Sequence, residues 1–194
     1  MSKAYDRVEW KFVEAMMIQL GFGRRWITWI MRCVKTVTYS FVINGEPVGN
    51  LIPSRGLRQG DAISPYLFLL CAEYLSRLLV MAEQQRQIEG IRICSEAPPI
   101  THPFFADNSF IFIRAGFRKF VILRNILRLY EQATGQHVSF EKSSASFSKN
   151  VHRSLQDGLA AVLGVKRVEK HLKYLGLPME VGASKVDAFQ YLNE

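Results

Sequence analysis

Apolar residues recur at helical spacing early in the chain. In "DRVEWKFVEAMMIQLGFG" they fall at Val8, Phe12, Val13, Met16, Met17 and Leu20, one face of a helix. Asp6 and Glu9 stand as N-cap and capping-box partner, and Gly21 and Gly23 close the segment. "RRWITWIMRCVKTV" predicts a second helix. The pattern then shifts to period two. "TYSFVING" is β-branched and aromatic and ends on the turn pair Asn44-Gly45, which predicts a strand entering a hairpin. "EPVGNLIPSRGLRQGD" reads as a hairpin or loop punctuated by Gly and Pro. Ser64-Pro65 opens a long helix through Gln85.

Beyond it the pattern predicts a short strand in "GIRIC", broken by "APP", and a hairpin in "THPFFADNSFIFIR" with its tip at Asp107-Asn108. "FRKFVILRNILRLYEQATG" is an amphipathic helix closed by Gly135. "HVSFEKSSASFS" is strand-like, "HRSLQDGLAAVLGV" is a helix weakened by Gly158, "YLGLPMEV" is extended, and a last helical fragment runs to Glu194. There is no internal repeat and no low-complexity linker. Strands and hairpins interleaved with packing helices predict an α+β sheet-with-helices architecture.

Composition narrows the partners. The chain has 194 residues, 48% hydrophobic, enough for one substantial core. Lys plus Arg number 25 against 17 Asp plus Glu, a net charge of +8, which favours a polyanion, and nucleic acid before membrane. Three cysteines (Cys33, Cys71, Cys94) have no CxxC spacing and the four histidines form no HxxxH pair, which argues against a disulfide framework or a zinc site. The charged first residues give no signal peptide, so an intracellular location, nuclear or cytoplasmic, is expected. The longest apolar stretch, "PYLFLLCAEYLSRLLVMA", contains Glu73 and Arg77 and reads as a buried helix rather than a membrane span.

Four stretches carry candidate chemistry, in this order: "SKAYDRVEW", "SRGLRQGDAISPYLFLLCAEYLSRLL", "FFADNSFIF", and "GQHVSFEKSSASF" followed by "KYLGLPM". Taken together they resemble the palm of reverse transcriptases. The likeness is to LINE-type (non-LTR) retrotransposons, especially the degenerate copies of plant genomes, and it covers essentially the whole chain, 1–194. It implies a polymerase palm-like antiparallel sheet packed against helices, with RNA template, DNA primer and deoxynucleoside triphosphates as partners and no membrane.

The family's nucleotidyl transfer uses two Mg2+ ions, and hard ions need carboxylate oxygens. Relatives supply one Asp from the first motif and two from an "ADD" hairpin tip. By this resemblance Asp107 is the surviving metal ligand and catalytic carboxylate, and Asn108 replaces the second. The leading Asp of the first motif would fall immediately before Met1, and Asp6 is the trailing one, explained by helix capping. Two 2+ ions about 3.8 Å apart repel by about 4 kcal/mol even at bulk-water dielectric. One certain carboxylate offsets little of that, so an inactive copy is expected. Fingers and thumb do not fit within 194 residues, and the sheet is expected to have an uncovered edge.

The other positions carry over one by one. Tyr5 matches the aromatic that blocks a ribose 2′-hydroxyl; taken alone it reads equally well as a core aromatic. In the loop "SRGLRQG", Ser54, Arg55, Gly56 and Arg58 match template and primer contacts, and Gln59 and Gly60 match nucleotide contacts; without the motif it is a solvated basic hairpin. Lys142 matches a lysine that protonates the leaving pyrophosphate, or is a surface lysine. Tyr174, Leu175 and Gly176 match the segment that grips the primer, or a buried strand. "DAISP" departs from the family's "DPLSP" at Ala62, and Ser139 stands where relatives often have Asn. A non-catalytic nucleic-acid-binding palm module and a functionless relic are the alternatives.

Overall fold

In the computed structural model, the described residues are 3–105 and 108–169, together with the backbone of 173–174 and 177–178. The chain divides into two compact units, Met1–Ser139 and Phe140–Glu194.

The first unit begins with a turn, residues 3–7, and helix α1 (Trp10–Gln19). The helix starts later than the Asp6 capping box predicts. Its N-cap is Glu9, which makes no side-chain cap bond. The physical reason is that the preceding backbone is already engaged elsewhere: the carbonyls of Tyr5 and Val8 accept from Leu57 and Gly56. Asp6 is therefore not a helix cap. The C-terminus matches expectation, with Gly21 at φ +79°. Gly21 N–H donates to Ile18 and Phe22 N–H to Met17, the paired bonds of a Schellman motif.

Helix α2 (Arg24–Lys35) packs on α1 through Ile27, Ile30, Met31 and Val34. Strands β1 (Tyr39–Ile43) and β2 (Glu46–Leu51) form the antiparallel hairpin that Asn44-Gly45 predicts, both turn residues having positive φ as a type I′ turn requires. All residues of both strands are exposed.

Helix α3 (Ser64–Gln84) is long and apolar enough to cross a membrane by length and composition alone. Its buried stripe of Leu67, Phe68, Cys71, Leu75, Leu79 and Ala82 packs against α1 and α4, and Arg77 pairs with Glu73 at 3.2 Å on the exposed side. That is the one-sided packing of an amphipathic helix, with Tyr66, Leu69 and Met81 exposed away from the stripe. Burial pushes the Cys71 thiol up to about 12, and it also raises the Tyr130 phenol.

"GIRIC" contributes only one bridge, Ile91 with Ile100, rather than a strand. Strands β3 (Phe104–Phe105) and β4 (Asn108–Ser109) form the expected hairpin, pairing Phe105 with Asn108 and Phe104 with Ser109. The same register continues outward, Phe110 N–H donating to Pro103 and Phe112 N–H to Thr101. Asn108 is thus a strand residue, not part of the tip. Helix α4 (Phe117–Thr134) follows and ends at Gly135, φ +76°.

The second unit contains a 3-10 turn (Phe140–Lys142) and a small βαβ arrangement. Strand β5 (Ser144–Ala145) runs parallel to β6 (Lys166–Arg167) across helix α5 (Arg153–Leu163). A crossover helix is what parallel pairing requires. Strands β7 (Lys173–Tyr174) and β8 (Leu177–Pro178) form an antiparallel pair, in keeping with the extended reading of that segment. The last helical fragment lies outside the described residues. The whole is α+β. Among the described residues the strands pair two by two, with no larger sheet joining them.

Candidate nucleic-acid interface

Residues 3–8 are gripped from two sides. On one side is the loop of residues 54–60. Leu57 N–H donates to the Tyr5 carbonyl at 2.8 Å, and Gly56 N–H to the Val8 carbonyl at 2.8 Å. Trp10 returns its indole N–H to the Gly56 carbonyl at 2.6 Å. Gly56 has φ +92°, and a β-carbon on it would stand 2.8 Å from the Asp6 carbonyl oxygen. Only glycine meets both demands, the left-handed backbone and the close approach.

On the other side is the turn after α4. Glu9 N–H donates to the Thr134 carbonyl at 3.0 Å. Gln136, fully buried, donates its amide N–H to the Ala4 carbonyl at 2.6 Å. A β-carbon on Gly135 would lie 2.4 Å from the Arg7 carbonyl oxygen. Sequence reasoning gave Trp10, Gly135 and Gln136 no part in this site. Gly135 had a signal as a helix stop, but the Gln136 contact spans 132 positions and leaves no local trace.

The side chains on this frame are cationic and polar. The Tyr5 ring, half-buried, stacks on Phe68 with centroids 5.1 Å apart. Its aromatic face is therefore shared with the core, as the alternative reading of Tyr5 anticipates. Gln59 reaches the Asp6 carboxylate at 3.4 Å, a long contact, and Gly60 turns the chain at φ +84°. Arg55 meets Glu9 at 3.5 Å, and Ser54, Arg55, Arg58 and Gln59 are all exposed. An exposed pair of that kind contributes little to stability. Asp61 shapes the backbone after the loop. Its carboxylate accepts from Ile63 N–H at 3.2 Å and its carbonyl from Ser64 N–H, which sets up the start of α3. A small hollow beside the loop is lined by Trp10, Cys33, Tyr39, Gly56, Arg58 and Asp61.

The structure thus brings Tyr5 and the residues of the 54–60 loop together. Asp107, Leu175 and Gly176 lie outside the described residues, as does the side chain of Tyr174. Asn108, the residue after Asp107, is exposed. Lys142 is exposed at the end of the 3-10 turn of the second unit. Among the described residues no three His, Cys, Asp or Glu side chains gather as metal ligands, so these residues do not by themselves fit a two-metal centre.

Against this geometry stand two comparisons. The model of the family "Reverse transcriptase (RNA-dependent DNA polymerase)" matches residues 1–179. The chain belongs to the reverse transcriptase family. It is also similar to an uncharacterized mitochondrial protein of Arabidopsis thaliana, 54% identical over 69 residues, which is 36% of this chain and 57% of that protein. The chain thus spans little more than half the length of that relative.

Proposed function

We propose that the chain is the palm region of an RNA-directed DNA polymerase of a plant-like, LINE-type retrotransposon, one that keeps a groove for an RNA–DNA hybrid and lacks templated synthesis. The observation that carries this reading is the seam between residues 3–8 and the 54–60 loop, closed by the Leu57–Tyr5 and Gly56–Val8 bonds. The two segments that hold nucleotide and template in the family meet in space here, though Asp6 and Gln59 are 53 positions apart.

In this reading Tyr5 borders the sugar of an incoming deoxynucleotide, with Gln59 and Gly60 beside it. Ser54, Arg55, Gly56 and Arg58 meet template or primer phosphates, for which guanidinium groups and close backbone approach are suited. Tyr174, Leu175 and Gly176 belong to the primer-gripping segment, and Lys142 matches the lysine that in relatives protonates the leaving pyrophosphate, a step this chain does not perform. Asp107 is the remaining Mg2+ ligand. Asn108 supplies an amide oxygen but no negative charge, so it does not offset the repulsion of two divalent ions. The net charge of +8 favours retention on nucleic acid inside the cell, nuclear or cytoplasmic.

A second reading, a non-catalytic nucleic-acid-binding palm module, is favoured by Asn108, which leaves the "ADD" pattern one carboxylate short. Both readings require binding. The test is association of the chain with a fluorescent RNA–DNA hybrid at increasing salt. Affinity should fall steeply, and Arg55→Ala with Arg58→Ala should reduce the slope of log K against log salt by about 1.8. Binding that is insensitive to salt and to both substitutions would remove the groove from this loop.

A further inference from the structure

Helix α2 shows solvent a face that the hybrid groove does not use. Its buried side is fully accounted for by Ile27, Ile30, Met31 and Val34. On the other side Trp26 and Trp29 are each 49% exposed. An exposed pair of indoles on one helix is an unusual cost for a folded chain, since such rings otherwise dominate cores and interfaces. The Arg25 guanidinium lies 4.8 Å from the Trp29 ring centroid. The helix carries Arg24, Arg25, Arg32 and Lys35 and no acidic residue. Of these, Lys35 is engaged by Glu14 at 3.1 Å.

The spacing gives this face a direction. Trp26 and Trp29 are three apart and Trp29 and Cys33 four apart, so the three follow one another along one side of the helix. Cys33 lines the hollow that also holds Arg58. The aromatic stripe is therefore continuous with the basic loop.

We propose that this face of α2 is a track for single-stranded nucleic acid leading to the Arg58 loop. Unpaired bases stack on Trp26 and Trp29, and phosphates meet Arg25 and Arg32. The ligand is single-stranded because only unpaired bases offer their faces to an indole, and it is read without sequence preference because every base has such a face. A cationic, acid-free helix excludes a basic partner and complements a polyanion. The track is separate from catalysis and stands whether or not the chain extends a primer.

The experiment uses the full chain and a fluorescent oligo(dT) single strand, with a duplex of equal length as comparison. The double variant W26A/W29A should bind the single strand at least about tenfold more weakly, as expected for two lost stacks. W26F/W29F, which keeps aromatic faces, should retain most of the binding. R25Q/R32Q should lower the salt slope by about 1.4. In the unmodified chain the bound strand should protect Cys33 from alkylation and leave Cys94, also exposed, reactive. Unchanged affinity of a folded W26A/W29A chain would overturn the proposal. So would Cys33 alkylation at the same rate with and without oligo(dT), which decides the matter even if the variant fails to fold. Self-association lost in W26A/W29A with oligonucleotide binding intact would assign the face to a second copy instead. Loss of hybrid binding in the Arg55 and Arg58 variants with single-strand binding kept would separate this track from the groove.

Discussion

The α-carbon of Gly56 is packed so closely on the backbone of Asp6 that a β-carbon would stand 2.8 Å from the Asp6 carbonyl oxygen. This contact joins two segments far apart in sequence. It also fixes where Arg55, Arg58 and Gln59 stand relative to Tyr5.

Gly56→Ala should therefore be costly. The left-handed backbone at φ +92° costs an L residue about 1–2 kcal/mol, and the clash with a carbonyl adds to it. Urea unfolding should show a loss of at least ~2 kcal/mol. Gly45→Ala is the control: its φ is +89° but nothing lies within 4 Å of the added β-carbon, so only about 1 kcal/mol should go. Hydrogen exchange at Leu57 N–H, which bonds the Tyr5 carbonyl, should speed up in the Gly56 variant only. Equal losses in the two variants would mean the seam contributes nothing.

Gln136→Ala tests the opposite side of the grip. The substitution strips the Ala4 carbonyl of its donor in a buried place, which costs about 1–3 kcal/mol, and leaves a void as well. Gln132→Ala, on the exposed side of α4, should change the unfolding free energy from urea titration by no more than about 0.5 kcal/mol.

His102 predicts a pH dependence. Its ring meets Ser76 at 2.8 Å through Nε2 and Thr101 at 2.7 Å through Nδ1. Desolvation lowers its pKa below the ordinary 6.5, outweighing the nearby Glu83 and Glu73, which raise it. The unfolded chain then binds the proton first. Stability is present above the unfolded value and is lost as pH falls toward the lower folded value. The urea midpoint should drop as pH falls through the ordinary histidine value of 6.5 and below, and the drop should shrink in His102→Gln. A midpoint that rises over that interval, or a drop unchanged by the substitution, would contradict the assignment.

What the chain discloses locally, it discloses well. Asn44-Gly45 announces its hairpin, Ser64-Pro65 its helix, and Gly21 and Gly135 their helix ends, because each rests on backbone preferences of one or two residues. The start of α1 misleads, since the capping pattern at Asp6 is overruled by long-range bonds to Gly56 and Leu57. "GIRIC" has the composition of a strand, yet it forms only the bridge from Ile91 to Ile100, where Gly90 sits tight against the Ile100 carbonyl. At the site, the motifs group Tyr5 with Gly56 and Gln59, and the bonds from Leu57 to Tyr5 and from Gln59 to Asp6 bring their segments together, which concerns their placement and not their roles. Trp10 and Gln136 were not, because a partner far along the chain imprints no period on the sequence.

The most direct measurement of the central claim is primer extension on an RNA template with magnesium and deoxynucleoside triphosphates. The unmodified chain should give no extended product, because in the proposed reading Asn108 replaces a metal-binding carboxylate. Extension that disappears on Asp107→Ala would keep Asp107 as the metal ligand and overturn the claim of lost synthesis. Extension that survives Asp107→Ala would contradict both.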